Sequence, residues 1–291
     1  MARRIVLALL LAGCNAKLAD GPVDGGALDA TQQHMIDGGA DARVLGMWST
    51  PTPINGASDA VLNEDDVTLS STQTELYFGI ANATKDLYMM TRATPQAAWG
   101  PKQALPFNTT TAAEESPRLS PDDLTLYFGR GGDIYSATRT AVGMPWGAAT
   151  LVPVISTANY EKWLAVCSGG YFMVSRANGA NGQDLYQGQL GAGAGTLVTE
   201  LNSTASEIST FLSNDCLTVY FASNRTAAAS TQLYTATRTS VASPWSTPVM
   251  VTEFGMSADN EDPWMSADQT TFVFASVRPA GGTKDLFIST R

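Results

Sequence analysis

From about residue 60 to Arg291 the chain repeats one unit five times, and no other feature restricts its fold as much. The clearest copy is "EESPRLSPDDLTLYFGRGGDIYSATRTAVGMPWGAATLV", residues 114–152. Others begin at Glu64, Ser206 and Asn260, and a weaker one at Tyr160. The period, read at Asp86, Asp133, Asp184, Gln232 and Asp285, is 47 to 53 residues. Each unit reads as four short strands. In the copy quoted they are "ESPRLS" (strand A), "LTLYFG" (B), "DIYSATR" (C) and "PWGAATLV" (D), with the polar turn "PDD" between A and B. Short β-rich strands recurring at this spacing indicate a propeller. Five equal units do not divide into two stacked β domains.

The fifth unit stops at Arg291, the equivalent of Arg92, Arg139 and Arg238 at the end of strand C, and so lacks strand D. Near the start of the domain, "MWSTPTPI" (47–54) has no partner strand before it, and it matches "PWSTPVMV" (244–251), strand D of the fourth unit. The expected fold is therefore an all-β, five-bladed propeller of four-stranded antiparallel blades. Its N-terminal strand completes the last blade and leaves no open edge there.

The stretch "LSPDDLTLYFGRGGDIYSATR" resembles the TolB-type, WD-repeat-like propeller repeat, and the resemblance covers residues 60 to 291. The usual Gly of the Ser-Pro-Asp-Gly turn is replaced by Asp123, Cys216 and Gln269. The resemblance implies an envelope-located binding propeller, with no activity attached to it.

Upstream of residue 45 the composition changes. "MARR" followed by "IVLALLLA" is a charged start and an apolar run of eight, too short to span a bilayer. It ends in "LAGC" and resembles a bacterial lipoprotein signal over residues 1–13. Cys14 would then be acylated and would hold the chain on a membrane. Asn15 rather than Asp follows, which favours the outer membrane. Residues 14–44 read as a tether: "DGPVDGGALDATQQHMIDGGADA" holds five Asp and too little apolar surface to fold. Its mean reach would be roughly 30 Å. The propeller is expected over 45–291.

Chemistry is constrained by what the repeats contain. Net charge is −10, which argues against nucleic acid as partner. The only His, His34, lies in the tether, so no Ser–His pair and no Cys/His zinc set can form in the repeats. No residue set points to a cofactor, a metal or a catalytic group, and a monomer is expected.

Strand direction brings the start of A, the end of B and the start of C to one face. Three charged columns are expected there. They are Asp65, Glu115, Glu161, Glu207 and Glu261; Arg130, Arg176, Arg225 and Arg278; and Asp86, Asp133, Asp184, Gln232 and Asp285. A feature present in nearly every blade reads first as scaffold, with each Arg tying its strands together. The other reading is an acidic channel mouth. It would be unbalanced in unit one, which has "NEDD" and no Arg, and in unit five, which adds Asp262. A basic partner loop or a cation could be drawn there.

Departures from the repeat are further candidates. Tyr160, Lys162 and Trp163 of unit three stand where other units have Pro or small polar residues, and unit five adds Trp264. They would be rim anchors for a protein or glycan, or aromatics packed between blades. A glycoside-acting enzyme, sialidase- or arabinanase-like, stays open because it needs only two carboxylates. Finally, Cys167 and Cys216, in neighbouring units on the face opposite the charges, either form a disulfide or remain separate buried thiols.

Overall fold

The computed structural model describes residues 45–291, apart from 59–60, 180–181, 227–229, 256–257 and 279–281. The leader, Cys14 and the tether lie outside the described residues. Leu45–Arg291 forms one compact unit. It is a five-bladed propeller of four-stranded antiparallel sheets. The chain enters at β1 (Thr52–Pro53). Blade one is β2 (Asn63–Leu69), β3 (Glu75–Ala81), β4 (Lys85–Thr91) and β5 (Gln103–Ala104). Blade two is β6 (Glu114–Leu119), β7 (Thr125–Arg130), β8 (Asp133–Thr138) and β9 (Thr150–Leu151). Blade three is β10 (Glu161–Val166), β11 (Tyr171–Ala177), β12 (Gln183–Gln189) and β13 (Thr196–Leu197). Blade four is β14 (Glu207–Leu212), β15 (Thr218–Ser223), β16 (Gln232–Thr237) and β17 (Val249–Met250). Blade five is β18 (Asn260–Met265), β19 (Thr271–Ser276) and β20 (Asp285–Thr290), completed by β1.

The ring is closed as the sequence match requires. Thr52 pairs with Ile288 and Pro53 with Phe287. The amide of Ser49 donates to Thr290 O, and that of Ile54 to Leu286 O. Trp48 packs against Phe254 and Phe272, and the Arg291 guanidinium sits 4.2 Å from its ring centroid. The same stack recurs as Arg92 on Trp99, Arg139 on Trp146 and Arg238 on Trp245, at 4.1 to 4.4 Å. In each of these blades the Arg Nε also donates to the carbonyl of the A–B turn, at Gln73, Asp123, Cys216 or Gln269. The Trp of the outer strand thus covers a guanidinium that pins the turn, an arrangement worth roughly 0.5–2 kcal/mol per blade. Blade three has neither residue, and Gln189 Nε2 reaches Gly169 O instead.

The core is divided among the seams. One buried apolar cluster lies between each pair of neighbouring blades, built around Phe128, Phe172, Phe221, Phe272 and Val273 in turn. Strand B supplies these side chains because its edges are paired by A and C and its faces are covered by the neighbouring blades. Burying each Phe contributes on the order of 2–3 kcal/mol.

Two left-handed positions recur. The first is the fourth residue of the A–B turn. Gln73, Asp123, Cys216 and Gln269 take φ of 56 to 65°, and blade three places Gly170 there at 77°. The turn keeps the geometry a Gly would favour although four blades lack it, at a cost of roughly 1 kcal/mol each. The second lies in strand A. Asp66, Ser116, Trp163, Ser209 and Asp262 take φ of 49 to 59°, and in every blade the register slips at that point. This bulge turns the side chain toward the propeller axis.

Candidate functional site

Strand A lines the axis, so the site is a stack of five-membered rings, one residue per blade. The entry ring is Glu64, Glu114, Glu161, Glu207 and Asn260. The carboxylates are buried, and each is consumed by its own blade. Arg130 Nε bonds Glu114 at 2.8 Å and Arg176 Nε bonds Glu161 at 2.7 Å. Arg225 Nη2 lies 3.1 Å from Glu207, and Arg278 donates to Asn260 Oδ1. In blade one Lys102, from the outer strand, bonds Glu64 at 3.0 Å. The arginines also reach the carbonyls of Phe107, Ile155, Leu201 and Phe254 and stack on the aromatic residue of strand C. This ring locks the loop that enters each blade.

The sequence columns are corrected here. Glu161 and Glu207 belong to this inner lock, whereas Asp65, Glu115 and Glu261 lie one residue further on, in the mouth ring with Lys162 and Ile208. Of the acids at the start of strand C, Asp86 and Asp184 accept from Asn82 and Asn178. Lysines meet part of the excess negative charge expected in blades one and five. Lys85 Nζ sits 2.6 Å from Asp65 and also bonds Asp66, and Lys284 Nζ sits 2.6 Å from Glu261. Lys162 Nζ sits 2.6 Å from Glu115. Three ammonium–carboxylate pairs therefore surround the mouth. Apart from Glu115, which is more buried, their side chains are 15% to 20% exposed. Gly79 makes room for the first pair, since a Cβ there would lie 2.7 Å from Lys85 Cε. Tyr160 stands over Gly132 at the rim, donates to Glu115 and lies under the Lys162 ammonium.

Below the mouth the axial ring is buried. Asp66 N–H donates to Asp262 Oδ2 at 2.8 Å. Trp163 Nε1 bridges Asp66 Oδ1 at 2.8 Å and Asp262 Oδ1 at 2.9 Å. Trp163 is thus part of an axial plug and not an exposed rim anchor, and Asp262 lies buried beneath the mouth that it was expected to charge. The bulge turns both inward. Burial pushes Asp65 up to about 7, helped by the Asp66 charge and opposed by Lys85. Asp262 is pushed up to about 6 by burial, then by Asp66 and Glu261. Burial acts on Asp66 in the same sense, but Lys85, Lys162 and Arg118 together hold it below the usual carboxylate range.

Two residues further along, the chamber ring is Thr68, Arg118, Ala165, Phe211 and Trp264. It faces the opposite end of the axis, where a cavity of about 260 Å3 opens between the A–B turns. Trp264 lines this cavity and packs in the seam between blades five and one, so it does not join Lys162 at the charged mouth. On the same end Cys167 and Cys216 form a disulfide between blades three and four, with Cα atoms 5.5 Å apart. No group of three or more His, Cys, Asp or Glu among the described residues is arranged to hold a metal.

No family model matches the chain, and no curated protein sequence matches it. Solved structures do resemble its fold. A GH62 hydrolase in complex with xylotriose is 12% identical with a TM-score of 0.58, over 84% of this chain and 97% of that one. The α-L-arabinofuranosidase PaAbf62A from Podospora anserina is 13% identical with a TM-score of 0.56, over 84% and 96%. TolB from Acinetobacter baumannii is 13% identical with a TM-score of 0.51, over 78% of this chain. The chain spans about half of that TolB, 54% of its length. At such identities these likenesses establish a shared propeller fold and nothing finer.

Proposed function

We propose that this chain is a lipid-anchored propeller of a bacterial cell envelope that binds a protein or glycan partner through its charged face, without catalysis. The observation that carries this reading is the mouth ring. Its three carboxylates each hold a lysine, in blade one, between blades two and three, and in blade five. Such a surface presents donors and acceptors to hydroxyl, amide or zwitterionic groups. It leaves no carboxylate unengaged to move a proton. The aromatic rim residue Tyr160, 38% exposed, adds a contact surface beside Lys162. The anchor rests on the apolar run that ends at Cys14 and on the TolB-type repeat.

The test uses the full lipidated chain in envelope extract of the cells that make it. A partner retained by the wild-type protein is expected to be lost from Tyr160→Ala and from Lys162→Gln, both still folded. Equal retention by both variants would remove the charged face from the reading.

A second reading is a glycoside-acting enzyme. It is favoured by one observation: Asp65, pushed up to about 7, stands next to Asp66, held low, and separated carboxyls of this kind serve as acid and conjugate base. The burial of Asp66, its Lys85 bond and its Trp163 bond count against access by a sugar ring. Hydrolysis of any member of a glycan panel, abolished by Asp65→Asn, would establish this reading over the first.

A further inference from the structure

Of the four arginines that stack on an outer-strand Trp, two are buried, Arg139 at 6% and Arg238 at 8% exposed, while Arg92 and Arg291 are half-buried. The two buried ones meet different neighbours. Both Nη atoms of Arg139 bond Glu75 of the preceding blade, at 2.9 and 2.7 Å. Glu75 opens strand B, and its carbonyl accepts from Ser70 N just before the A–B turn. In blade three the same position is Tyr171, whose carbonyl accepts from Cys167 N. Arg238 thus has a phenol where Arg139 has a carboxylate, and Tyr171 is the one ionisable group whose charge acts on it. Burial lowers the pKa of both arginines; Glu75 reverses that shift in Arg139, and Tyr171 does not reverse it in Arg238.

A cavity of about 260 Å3 lies beside Arg238, lined also by Tyr171, Gln187, Gly188, Thr196 and Val241. No Asp or Glu lines it. Arg238 Nε is held by Cys216 O at 2.8 Å, and Nη1 is shared between Gln187 Oε1 and Val241 O, at 3.2 Å each. Gln187 Oε1 also accepts from Trp245 Nε1 at 3.0 Å, which fixes the direction of the amide. The second guanidinium nitrogen, Nη2, and the amide nitrogen of Gln187 have no hydrogen-bond partner among the described residues, and neither atom is sealed from solvent. Tyr171 is itself 36% exposed. Two donors, one of them cationic, therefore share an open cavity with no acidic group in it.

We propose that this cavity binds the carboxylate of a small organic acid, which takes against Arg238 the place that Glu75 takes against Arg139. One carboxylate oxygen meets Arg238 Nη2 in a charge-assisted bond, and the other receives the Gln187 amide. The body of the acid lies against the Tyr171 ring and Val241. The volume is below the range of about 300 Å3 and upward typical of drug-sized ligands, so the acid is small. The site sits in the seam between blades three and four at the A–B turn end, so it stands or falls separately from the reading that rests on the charged mouth.

The experiment is calorimetric titration of the full chain with benzoate, whose ring suits Tyr171, and with benzamide as the neutral comparison of the same shape. Saturable binding of benzoate at one site is expected, at least tenfold tighter than benzamide. Tyr171→Glu changes an exposed residue and sets a carboxylate at the register of Glu75, where it occupies the guanidinium; it should weaken benzoate at least tenfold in a folded protein. Tyr171→Phe keeps the ring and should leave benzoate binding unchanged. Absence of saturable binding up to about 10 mM, equal affinity for benzamide, unchanged affinity in Tyr171→Glu, or an equal loss in Tyr171→Phe would each overturn the assignment.

Discussion

At the scale of single residues, the axial carboxylates dominate. Asp65 and Asp262 have folded pKa values raised to about 7 and about 6, above the ordinary Asp value. Their stabilising contribution is fully present below about pH 4 and is lost as pH rises through about 6 to 7. Asp66 is the reverse: its contribution is present above about pH 4 and is lost as pH falls further through its depressed value. Stability should therefore be greatest near pH 5. A calorimetric melting temperature higher at pH 5 than at pH 8 is expected, by about 3–6 °C; a lower one would contradict the burial of these groups. A second residue-scale case is the buried pair between blades one and two, where both Nη atoms of Arg139 bond Glu75, at 2.7 and 2.9 Å. Glu75→Ala strands the cation and should cost about 3–5 kcal/mol in urea unfolding. Replacing both partners, as Glu75→Leu with Arg139→Met, should recover much of that. The repeat pointed to Asp65, Asp262 and Trp163 as candidates, but not to the burial or the partners that the structure gives them. Blades three and four carry a single acid at the start of strand A where blades one and two carry two in a row, so Glu161 and Glu207 align by residue type with Asp65, Glu115 and Glu261 although they occupy the ring above. The lysines that pair at the mouth, Lys85 and Lys284, hold one repeat position, just before the Asp or Gln of strand C, which the other three blades fill with Gly132, Gln183 and Thr231.

Elements were far more legible, because what recurs in the sequence is what each blade needs. The Trp of strand D and the Arg ending strand C recur in four blades, since one stacks on the other and together they hold the turn. That pairing is why "MWSTPTPI" could be read as a fifth-blade strand. Deleting residues 45–56 removes Trp48 and β1 and should lower the melting temperature by more than 10 °C on the scale of about 2–4 °C per kcal/mol. Deleting 15–40 should leave it unchanged; equal losses would contradict the closure. The A–B turns connect the blades in a second way. In the left-handed turn conformation the side chain reaches the preceding blade: Asp123 accepts from Ser71 N and Oγ, at 2.9 and 2.6 Å, and Cys216 meets Cys167. The disulfide thus occupies the position of a polar link, in the blade pair where the Arg–Trp stack is missing on one side. With 49 residues of separation, its reduction should cost roughly 3–4.5 kcal/mol by loop entropy. Melting with and without reductant checks this, and an unchanged temperature would show the bridge to be structurally idle.

At the scale of the whole molecule, membrane attachment is the proposal most easily separated from the fold. Cys14→Ser should leave the propeller folded and move the protein out of the membrane fraction; continued partition into detergent would remove the lipid anchor. The ring itself has its weakest covalent logic at one place. Four blades are each continuous in sequence, while blade five joins the two ends of the domain through a strand of two residues, Thr52 and Pro53. Mechanical load arriving from the N-terminal side enters the domain at Trp48 and passes first into β20. Handle and latch are then the same strand. Force sufficient to strip it would uncover the seam between blades five and one, where Ile54 packs, and the blade four–five cluster that Trp48 covers, while the other three seams keep their cover.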